Sequence, residues 1–209
     1  MTKKSVVLIP ARGGSKGIPK KNLILLKDKP LIQYVIESSI KSNIDEVWVS
    51  SDSEEILKLS SKLGAKTLLR PSFLATDESS SEDALMHFAN NVDFEKLIFL
   101  QATCPQTTSE DINICLQLLD QFDSVLTVAE LHQNVWANYK PMYDINNRKR
   151  RQEKESMHLE TGAIFGTRKS NLINTRNRLS GSIGFHLVPK YRSFDIDTYE
   201  DLAIVEKLI

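Results

Sequence analysis

Two stretches near opposite ends of the sequence combine residue types suited to binding a polyphosphate and a metal ion. The first, residues 9–22 (IPARGGSKGIPKKN), holds three glycines and four cations directly after an apolar run. Glycine permits positive φ and close approach of a ligand, so that successive backbone N–H groups converge on one anion. Lysine and arginine add positive charge. The stretch is a candidate phosphate loop without the Walker A spacing; the alternative is a solvated basic turn.

The second stretch, residues 193–198 (SFDIDT), places Asp195 and Asp197 two positions apart. In an extended chain both carboxylates point to the same face, with Phe194 and Ile196 directed inward. Two carboxylates beside a polyphosphate form an oxygen-ligand Mg²⁺ site. The alternative for Asp197 is a role as the cap of a final helix, but this does not explain Asp195. We therefore expect Asp195 and Asp197 to bind Mg²⁺.

Apolar runs alternate with helix-like patterns along the chain. Predicted strands cover residues 6–9, 47–49, 65–69, 96–100 and 124–128. Predicted helices begin near residues 30, 53, 81 and 109, with Asp52 or Ser53 as the cap of the second. This alternation predicts an α/β fold with a mostly parallel sheet and helices on both faces. Ligands in such sheets bind beyond the carboxyl ends of the strands, so the loops that leave those ends face one crevice.

Composition narrows the class of protein. The 209 residues fit one domain, 1–209, and 27 basic residues balance 27 acidic ones, so no overall field favours nucleic acid or membrane. Cys104 and Cys115 have no metal-ligand spacing and are predicted to be buried thiols, and the four histidines show no zinc spacing. The chain has no signal-peptide pattern and no apolar run of about 20 residues. We expect a soluble, cytoplasmic protein without nucleic-acid or membrane partners.

Residues 9–22 resemble, position for position, the I-P-A-R-G-G-S-K-G-[IL]-P-x-K-N loop of the acylneuraminate cytidylyltransferase family. Its members are CMP-sialic acid synthetases and relatives acting on legionaminic, pseudaminic or similar nonulosonic acids. The resemblance implies a three-layer α/β/α Rossmann-like nucleotidyltransferase fold. It also implies transfer of CMP from CTP to the anomeric hydroxyl of a nine-carbon 2-keto sugar acid, with Mg²⁺ as cofactor, pyrophosphate as product and a homodimer as the assembly.

The resemblance assigns the nucleotide-binding residues. In the first loop they are Ala11, Arg12, Gly13, Gly14, Ser15, Lys16, Lys21 and Asn22. Residues 70–81 match the family pattern R-P-x-x-L-A-x-D-x-[AS]-x-[ST], in which the arginine reads the cytosine; this role passes to Arg70, with Ser79 and Ser81 beside it. The alternative for the two serines is a polar loop that caps the next helix. The catalytic set implied is Arg12, Lys16, Lys21, Asp195 and Asp197.

Sugar-binding residues follow from three weaker matches. Residues 100–105 (LQATCP) resemble a family turn and give Gln101 and Thr103, although Gln106 and Thr107 replace the usual Leu-Arg. Residues 131–160 resemble the family's dimerisation arm, with Arg151 and Gln152 as phosphate and sugar contacts. Residues 160–165 (ETGAIF) resemble the N-G-A-[IF]-Y strand and give Thr161 and Phe165.

Departures from the family pattern leave alternatives open. Thr161 and Phe165 replace an asparagine and a tyrosine, and Arg178 and Leu179 lie near the place of an aromatic pair that binds the acyl group. Changing the polar groups that meet a substrate changes specificity, which favours a nonulosonic acid related to N-acetylneuraminate. Two other functions remain: a nucleotidyltransferase of the same fold that uses another NTP, such as GTP, with a sugar phosphate, and a non-catalytic nucleotide-binding homologue.

Overall fold

The computed structural model describes residues 4–154 and 156–209. The strands are β1 Ser5–Pro10, β2 Leu25–Leu26, β3 Lys29–Pro30, β4 Glu46–Ser51, β5 Lys66–Leu69, β6 Lys96–Leu100, β7 Ser124–Leu131, β8 Trp136–Ala137, β9 Lys140–Pro141, β10 Met157–Arg168 and β11 Ile183–Leu187. The α-helices are α1 Leu31–Ile40, α2 Glu54–Lys62, α3 Ser81–Asn91, α4 Ser109–Leu118, α5 Lys169–Thr175 and α6 Tyr199–Leu208. The predicted succession of strands and helices from β1 to β7 is confirmed. None of the helices in the described part of the chain is long and apolar enough to cross a membrane.

Seven of these strands form one sheet in the order β11-β7-β10-β6-β1-β4-β5. The pairs β1–β4, β1–β6, β4–β5 and β7–β11 are parallel, whereas β10 runs antiparallel to both β6 and β7. The mostly parallel sheet is therefore confirmed. The register of β10 against β7 shifts between Glu160 and Phe165, where Gly162 adopts a φ of 75°.

Both faces of the sheet are covered, which explains why β1 is apolar at every position from 6 to 9. Val7 and Ile9 pack in one core with side chains from α1, α2 and α4, while Val6 and Leu8 pack in a second core with side chains from α3 and α5. Successive strand residues point to opposite faces, so the helices form two outer layers. Cys104 and Cys115 are buried as predicted.

A third apolar cluster connects the beginning of the chain to its end. Ile18 of the first loop, Leu26 of β2 and Leu31 of α1 pack against Ile196 and Val205, and all five side chains are fully buried. Ile18 follows the glycines of the first loop, and Ile196 stands between the two aspartates. Burial of these apolar side chains therefore holds the glycine loop beside the acidic segment.

The structure decides between the alternatives left open for the caps of two helices. Thr198 is the N-cap of α6 and forms a capping box with Asp201, so the alternative role of Asp197 as this cap is wrong. The N-cap of α2 is Ser53, without a side-chain capping bond, and Asp52 instead accepts a hydrogen bond from the Gly13 N–H. Both aspartates are thereby placed at the first loop rather than at a helix end.

Asp111, in the first turn of α4, anchors the segment that precedes the acidic stretch. Its side chain is 5% exposed, accepts hydrogen bonds from Thr108 and His186, and pairs with Arg192, three residues before Asp195. Burial opposes ionisation, but the hydrogen bonds from His186, Arg192 and Thr108 outweigh it and hold the pKa of Asp111 well below its usual range.

We expect Asp111→Asn to lower the free energy of unfolding at pH 7 by about 2 kcal/mol, the size of a hydrogen bond to a charged group. Because the folded-state pKa of Asp111 is depressed below 3.8, the ionised carboxylate stabilises the fold above that pH. This contribution is lost as the pH falls below 3.8. Urea unfolding of wild type and variant at several pH values should therefore give curves that converge under acid conditions; a constant difference would contradict the assignment.

Candidate nucleotide- and metal-binding site

A cavity of about 290 Å³ opens at the carboxyl ends of β1 and β6. The predicted site residues that line it are Arg12, Gly14, Ser15, Lys21, Asn22, Arg70, Ser79, Ser81, Gln101, Thr103 and Asp197. Residues that the sequence did not single out also line it, among them Thr76, Asp77, Ser80, Ala84 and Phe99. This position at the strand ends is where ligands bind in α/β sheets.

The glycine loop and the acidic segment meet at the cavity. Lys21 Nζ lies 2.8 Å from Asp197 Oδ1. A Cβ atom on Gly17 would overlap the backbone carbonyl oxygen of Asp197, so only glycine fits at that position. Lys21, which is predicted to bind phosphate, is thus within hydrogen-bond distance of Asp197, one of the two carboxylates predicted to hold a metal.

Space, and not φ, requires glycine at positions 13 and 17 of the first loop. In the described residues the glycines with positive φ are Gly64, Gly162 and Gly181, so the loop glycines do not use the positive φ that glycine permits. A Cβ on Gly13 would lie 2.9 Å from Ser53 Cβ, whereas a Cβ on Gly14 would meet no atom within 4 Å. Gly14 therefore leaves its backbone open to a ligand.

Asp52 is hydrogen-bonded to the glycine loop and lies near enough to Arg70 for its charge to act on it. Its Oδ1 accepts the Gly13 N–H at 2.8 Å, and its negative charge faces Arg70. Arg70 is 6% exposed, and its Nε has no hydrogen-bond partner in the described residues. Burial lowers the pKa of Arg70, and Asp52 counteracts this effect. Sequence reasoning assigned Asp52 only a capping role, because its contact with Gly13 joins the ends of two different strands and has no local pattern.

The acidic segment lies outside the strands, with Phe194 and Ile196 packed inward as predicted. The Ile196 N–H donates to the Thr103 carbonyl oxygen at 3.0 Å, and the Asp197 side chain is 71% exposed, whereas Asp195 Oδ1 is buried without a partner in the described residues. Burial raises the pKa of Asp195, the Thr103 hydroxyl counteracts this by hydrogen bonding, and the charge of Asp197 adds to the rise. The two carboxylates therefore differ in environment.

These two carboxylates fit Mg²⁺. Mg²⁺ is usually held by one or two carboxylates together with substrate phosphates, and not by a cage of protein ligands. Consistent with this, the described residues contain no group of three or more His, Cys, Asp or Glu side chains placed to hold a metal. The unpartnered Oδ1 of Asp195 supplies an acceptor without a donor, which a cation would satisfy.

Other loop residues have structural contacts. Asn22 is 7% exposed and its amide donates to the Arg12 carbonyl oxygen at 2.9 Å, which ties the two sides of the loop together. Ala11 is buried, and its N–H donates to the Ser50 carbonyl oxygen. Lys16 lies at a neighbouring cavity with Arg12 and Asp77. Ser80, and not Ser81, caps α3.

Two predicted sugar-binding residues lie away from the cavity. Phe165 is 3% exposed in the core, 5.9 Å from the Phe99 ring, with the Arg178 guanidinium 4.6 Å above it. Thr161 is buried and hydrogen-bonded to Thr127 at 2.7 Å. The shifted register of β10 next to Gly162 turns these side chains into the sheet interior, so direct contact with a ligand in the cavity is wrong for both.

Residues 131–160 also lie apart from the cavity of their own chain. They include the β8–β9 hairpin and a 3₁₀ helix, Arg151–Glu153, in which Arg151 and Gln152 are exposed. Arg151 borders a separate cavity with Glu130 and His132. The large apolar side chains exposed on this segment are Trp136, Tyr139, Met142, Ile145, Met157 and Leu159.

A parallel-sheet α/β fold with a basic glycine loop at one strand end and a carboxylate pair beside it defines a nucleotide-binding protein. The chain belongs to the cytidylyltransferase family, whose profile matches residues 6–208.

Two relatives within this family illustrate how similar the chain is to proteins of known name. N-acylneuraminate cytidylyltransferase B of Danio rerio is 34% identical over 218 residues, covering 97% of this chain and 50% of that protein. Pseudaminic acid cytidylyltransferase of Campylobacter jejuni is 33% identical over 226 residues, covering 98% of this chain and 96% of that protein. The chain spans about half the length of the N-acylneuraminate cytidylyltransferases it matches.

A solved structure of CMP:2-keto-3-deoxy-manno-octonic acid synthetase complexed with CTP superposes with a TM-score of 0.79. It is 22% identical and the match covers 98% of each chain, so it shows the fold. The expected three-layer Rossmann-like nucleotidyltransferase fold is confirmed.

Proposed function

We propose that this chain transfers CMP from CTP to the anomeric hydroxyl of a nine-carbon 2-keto sugar acid and releases pyrophosphate. The observation that carries the proposal is that Lys21 and Gly17 of the glycine loop contact Asp197 of the acidic segment. They do so at a cavity beyond the carboxyl ends of the strands, where nucleotides bind in such folds. Whole-chain similarity to N-acylneuraminate and pseudaminic acid cytidylyltransferases supports the choice of nucleotide and of sugar-acid class.

The first loop binds the triphosphate. Arg12, Lys16 and Lys21 neutralise its charge, while the backbone at Gly14 and Ser15 approaches the phosphate oxygens. Ala11, Gly13 and Asn22 act through the backbone geometry of the loop, because their contacts are with the protein.

Arg70 reads the cytosine, with Ser79 and Ser81 beside it. Its backbone N–H donates to the Ser51 carbonyl oxygen at 2.8 Å, which fixes the side chain at the end of β5. A buried guanidinium with an unpartnered Nε has donors available for the carbonyl of a base. The negative charge of Asp52 counteracts the effect of burial on the pKa of Arg70.

Transfer depends on position and charge. The anomeric hydroxyl attacks the α-phosphorus in line, and the bond to the leaving pyrophosphate breaks. Arg12, Lys16 and Lys21 hold the phosphates and stabilise the negative charge that develops on the leaving pyrophosphate. Gln101 and Thr103 orient the sugar acid. Mg²⁺ held by Asp195 and Asp197 would neutralise phosphate charge and lower the pKa of the attacking hydroxyl.

A homodimer completes the proposal. Residues 131–160 form the dimerisation arm of the single domain 1–209, and Arg151 and Gln152 reach the phosphate and sugar of the neighbouring subunit. The side chains of Leu159 in β10 and of Phe185 and Leu187 in β11 are each more than half accessible to solvent. Such exposed apolar side chains support a partner subunit at the end of the sheet that β11 forms. Analytical ultracentrifugation should give twice the mass of the chain; a monomer at micromolar concentration would contradict it.

The test of function is a pyrophosphate-release assay with Mg²⁺. Each of the four NTPs is combined with sialic, legionaminic or pseudaminic acid, and separately with sugar phosphates. Turnover with CTP and a nonulosonic acid supports the proposal and identifies the sugar. Turnover with GTP and a sugar phosphate indicates the other nucleotidyltransferase, whereas binding of CTP without turnover of any acid indicates a non-catalytic homologue.

A further inference from the structure

One carboxylate, that of Asp77, bridges the two cations at the mouth of the nucleotide cavity. Arg12 Nη1 lies 2.7 Å from Asp77 Oδ1, and Lys16 Nζ lies 3.1 Å from Asp77 Oδ2. Arg12 also donates to the carbonyl oxygen of the neighbouring Thr76 at 2.9 Å. The loop that carries Arg70 is thus joined to the glycine loop by charge.

The Asp77 carboxylate pairs with two cations that are predicted to bind phosphate. A cavity between the two loops is lined by Arg12, Gly14, Ser15, Lys16, Ala75, Thr76 and Asp77. Carboxylate and phosphate oxygens accept hydrogen bonds from arginine and lysine in the same way. Asp77 therefore offers these cations the kind of acceptor that a phosphate group would offer, in a cavity that Gly14 also lines.

An anionic ligand can replace Asp77 in its ion pairs with Arg12 and Lys16. The side chains of Arg12, Asp77 and Lys16 are 33%, 40% and 79% exposed, and exposed ion pairs stabilise a fold very little. The glycine loop does not need the bridge for its shape, because Asp52 and Asn22 hold it through hydrogen bonds to Gly13 and Arg12. A ligand with several negative charges can replace one carboxylate at little cost to the fold.

We propose that Asp77 is an exchangeable counter-anion for the phosphate-binding cations. Asp77 pairs with Arg12 and Lys16 when no nucleotide is bound. The β- and γ-phosphates of the nucleotide displace it from these cations, and the two ion pairs form again when pyrophosphate leaves. The identity of the ligand rests on the proposed function. Since a ligand that needs these cations must displace Asp77, its apparent affinity falls with the fraction of molecules in which the cations are unpaired.

The test is Asp77→Asn, measured by isothermal titration calorimetry with inorganic tripolyphosphate, pyrophosphate and CMP in the presence of EDTA. Removal of the internal competitor should tighten tripolyphosphate and pyrophosphate binding by about 3- to 10-fold, as expected for loss of two exposed ion pairs. CMP carries no β- or γ-phosphate, and its dissociation constant should change less than about twofold. In turnover assays the inhibition constant of pyrophosphate should fall in the same proportion.

Glu78→Gln is the matched control. Glu78 is the next residue, is exposed, and has no ion pair with any residue in 4–154 or 156–209, so its substitution removes the same charge from the same loop. We expect its tripolyphosphate affinity to equal that of wild type. If Asp77→Asn and Glu78→Gln both bind tripolyphosphate more tightly than wild type and to the same extent, the cause is a general charge effect and the inference is overturned.

The remaining outcomes separate this inference from the proposed function. If wild type binds tripolyphosphate and Asp77→Asn binds no more tightly, Asp77 is not a competitor and the inference alone is overturned. If neither protein binds tripolyphosphate, the proposed triphosphate site is wrong and the inference falls with it. Weaker binding by Asp77→Asn only when Mg²⁺ is added would identify Asp77 as a metal ligand and also overturn the inference.

Discussion

Asp195→Asn is expected to lower turnover by roughly 10²- to 10³-fold, the range found when one preorganised charge-stabilising group is removed. The same variant should unfold at higher urea concentration than wild type in the absence of ligands. Asp195 Oδ1 is buried without a partner, and burial raises the pKa of this carboxyl, so an uncharged amide is cheaper to bury. We expect a gain of about 1 kcal/mol in the free energy of unfolding.

Opposite signs for activity and stability make this test specific. Asp197→Asn should lower turnover without a gain in stability, because Asp197 is exposed and paired with Lys21. Glu200→Gln, an exposed position in the first turn of α6, controls for removal of nearby negative charge and should keep wild-type turnover. Unchanged turnover in Asp195→Asn would remove Asp195 from the metal site, and a loss of stability would contradict its description as a carboxylate whose Oδ1 is buried without a partner in the described residues.

Ligand-dependent stabilisation gives a second measurement of the same variant. Mg²⁺ with CTP should raise the melting temperature of wild type, because a ligand that binds only the folded state stabilises it. In Asp195→Asn the contribution of Mg²⁺ to this rise should be lost, while CTP with EDTA should act on both proteins alike. A full Mg²⁺ effect in the variant would place the metal elsewhere.

The layered fold could be predicted from local patterns. The apolar runs at 6–9 and 97–100 are buried on both faces, and such runs are recognisable because every residue is apolar. The meeting of the glycine loop with the acidic segment was expected from chemistry, because carboxylates that hold Mg²⁺ must lie beside the polyphosphate. The burial of Ile18 and Ile196 in one cluster, which holds the two segments together, was not predicted. The antiparallel direction of β10 had no local pattern to predict it.

The contacts that join separate strand ends were not predictable in the same way. Asp52 has the sequence context of a helix cap, and only the position of Gly13 across the strand end gives it another partner. Asp77 looks like an ordinary loop acid until Arg12 and Lys16 are placed beside it. Phe165 was misplaced because a register shift in β10 decides which face its ring occupies.

Gly17→Ala is expected to reduce kcat/KM for CTP by about 100-fold, since a displacement of roughly 1 Å in a positioned site has an effect of this size. A Cβ at residue 17 would overlap the Asp197 backbone carbonyl, which is part of the main chain and cannot rotate away. The glycine loop and the acidic segment must therefore separate, and Lys21 Nζ would lose its 2.8 Å contact with Asp197 Oδ1. Steady-state kinetics at several CTP concentrations measure the effect.

Overpacking also destabilises a protein, by about 1–3 kcal/mol, so Gly17→Ala needs a control that shares this cost. Gly166 in β10 provides one, because a Cβ there would lie 2.6 Å from Val125 Cγ2 in the sheet interior, away from the cavity. Gly166→Ala should be destabilised by a similar amount and yet keep wild-type kcat/KM per folded molecule. The contrary result is that both variants lose activity only in proportion to their unfolded fraction. Forced separation of the glycine loop from the acidic segment would then have left catalysis unchanged, which would show that the two do not act as one site.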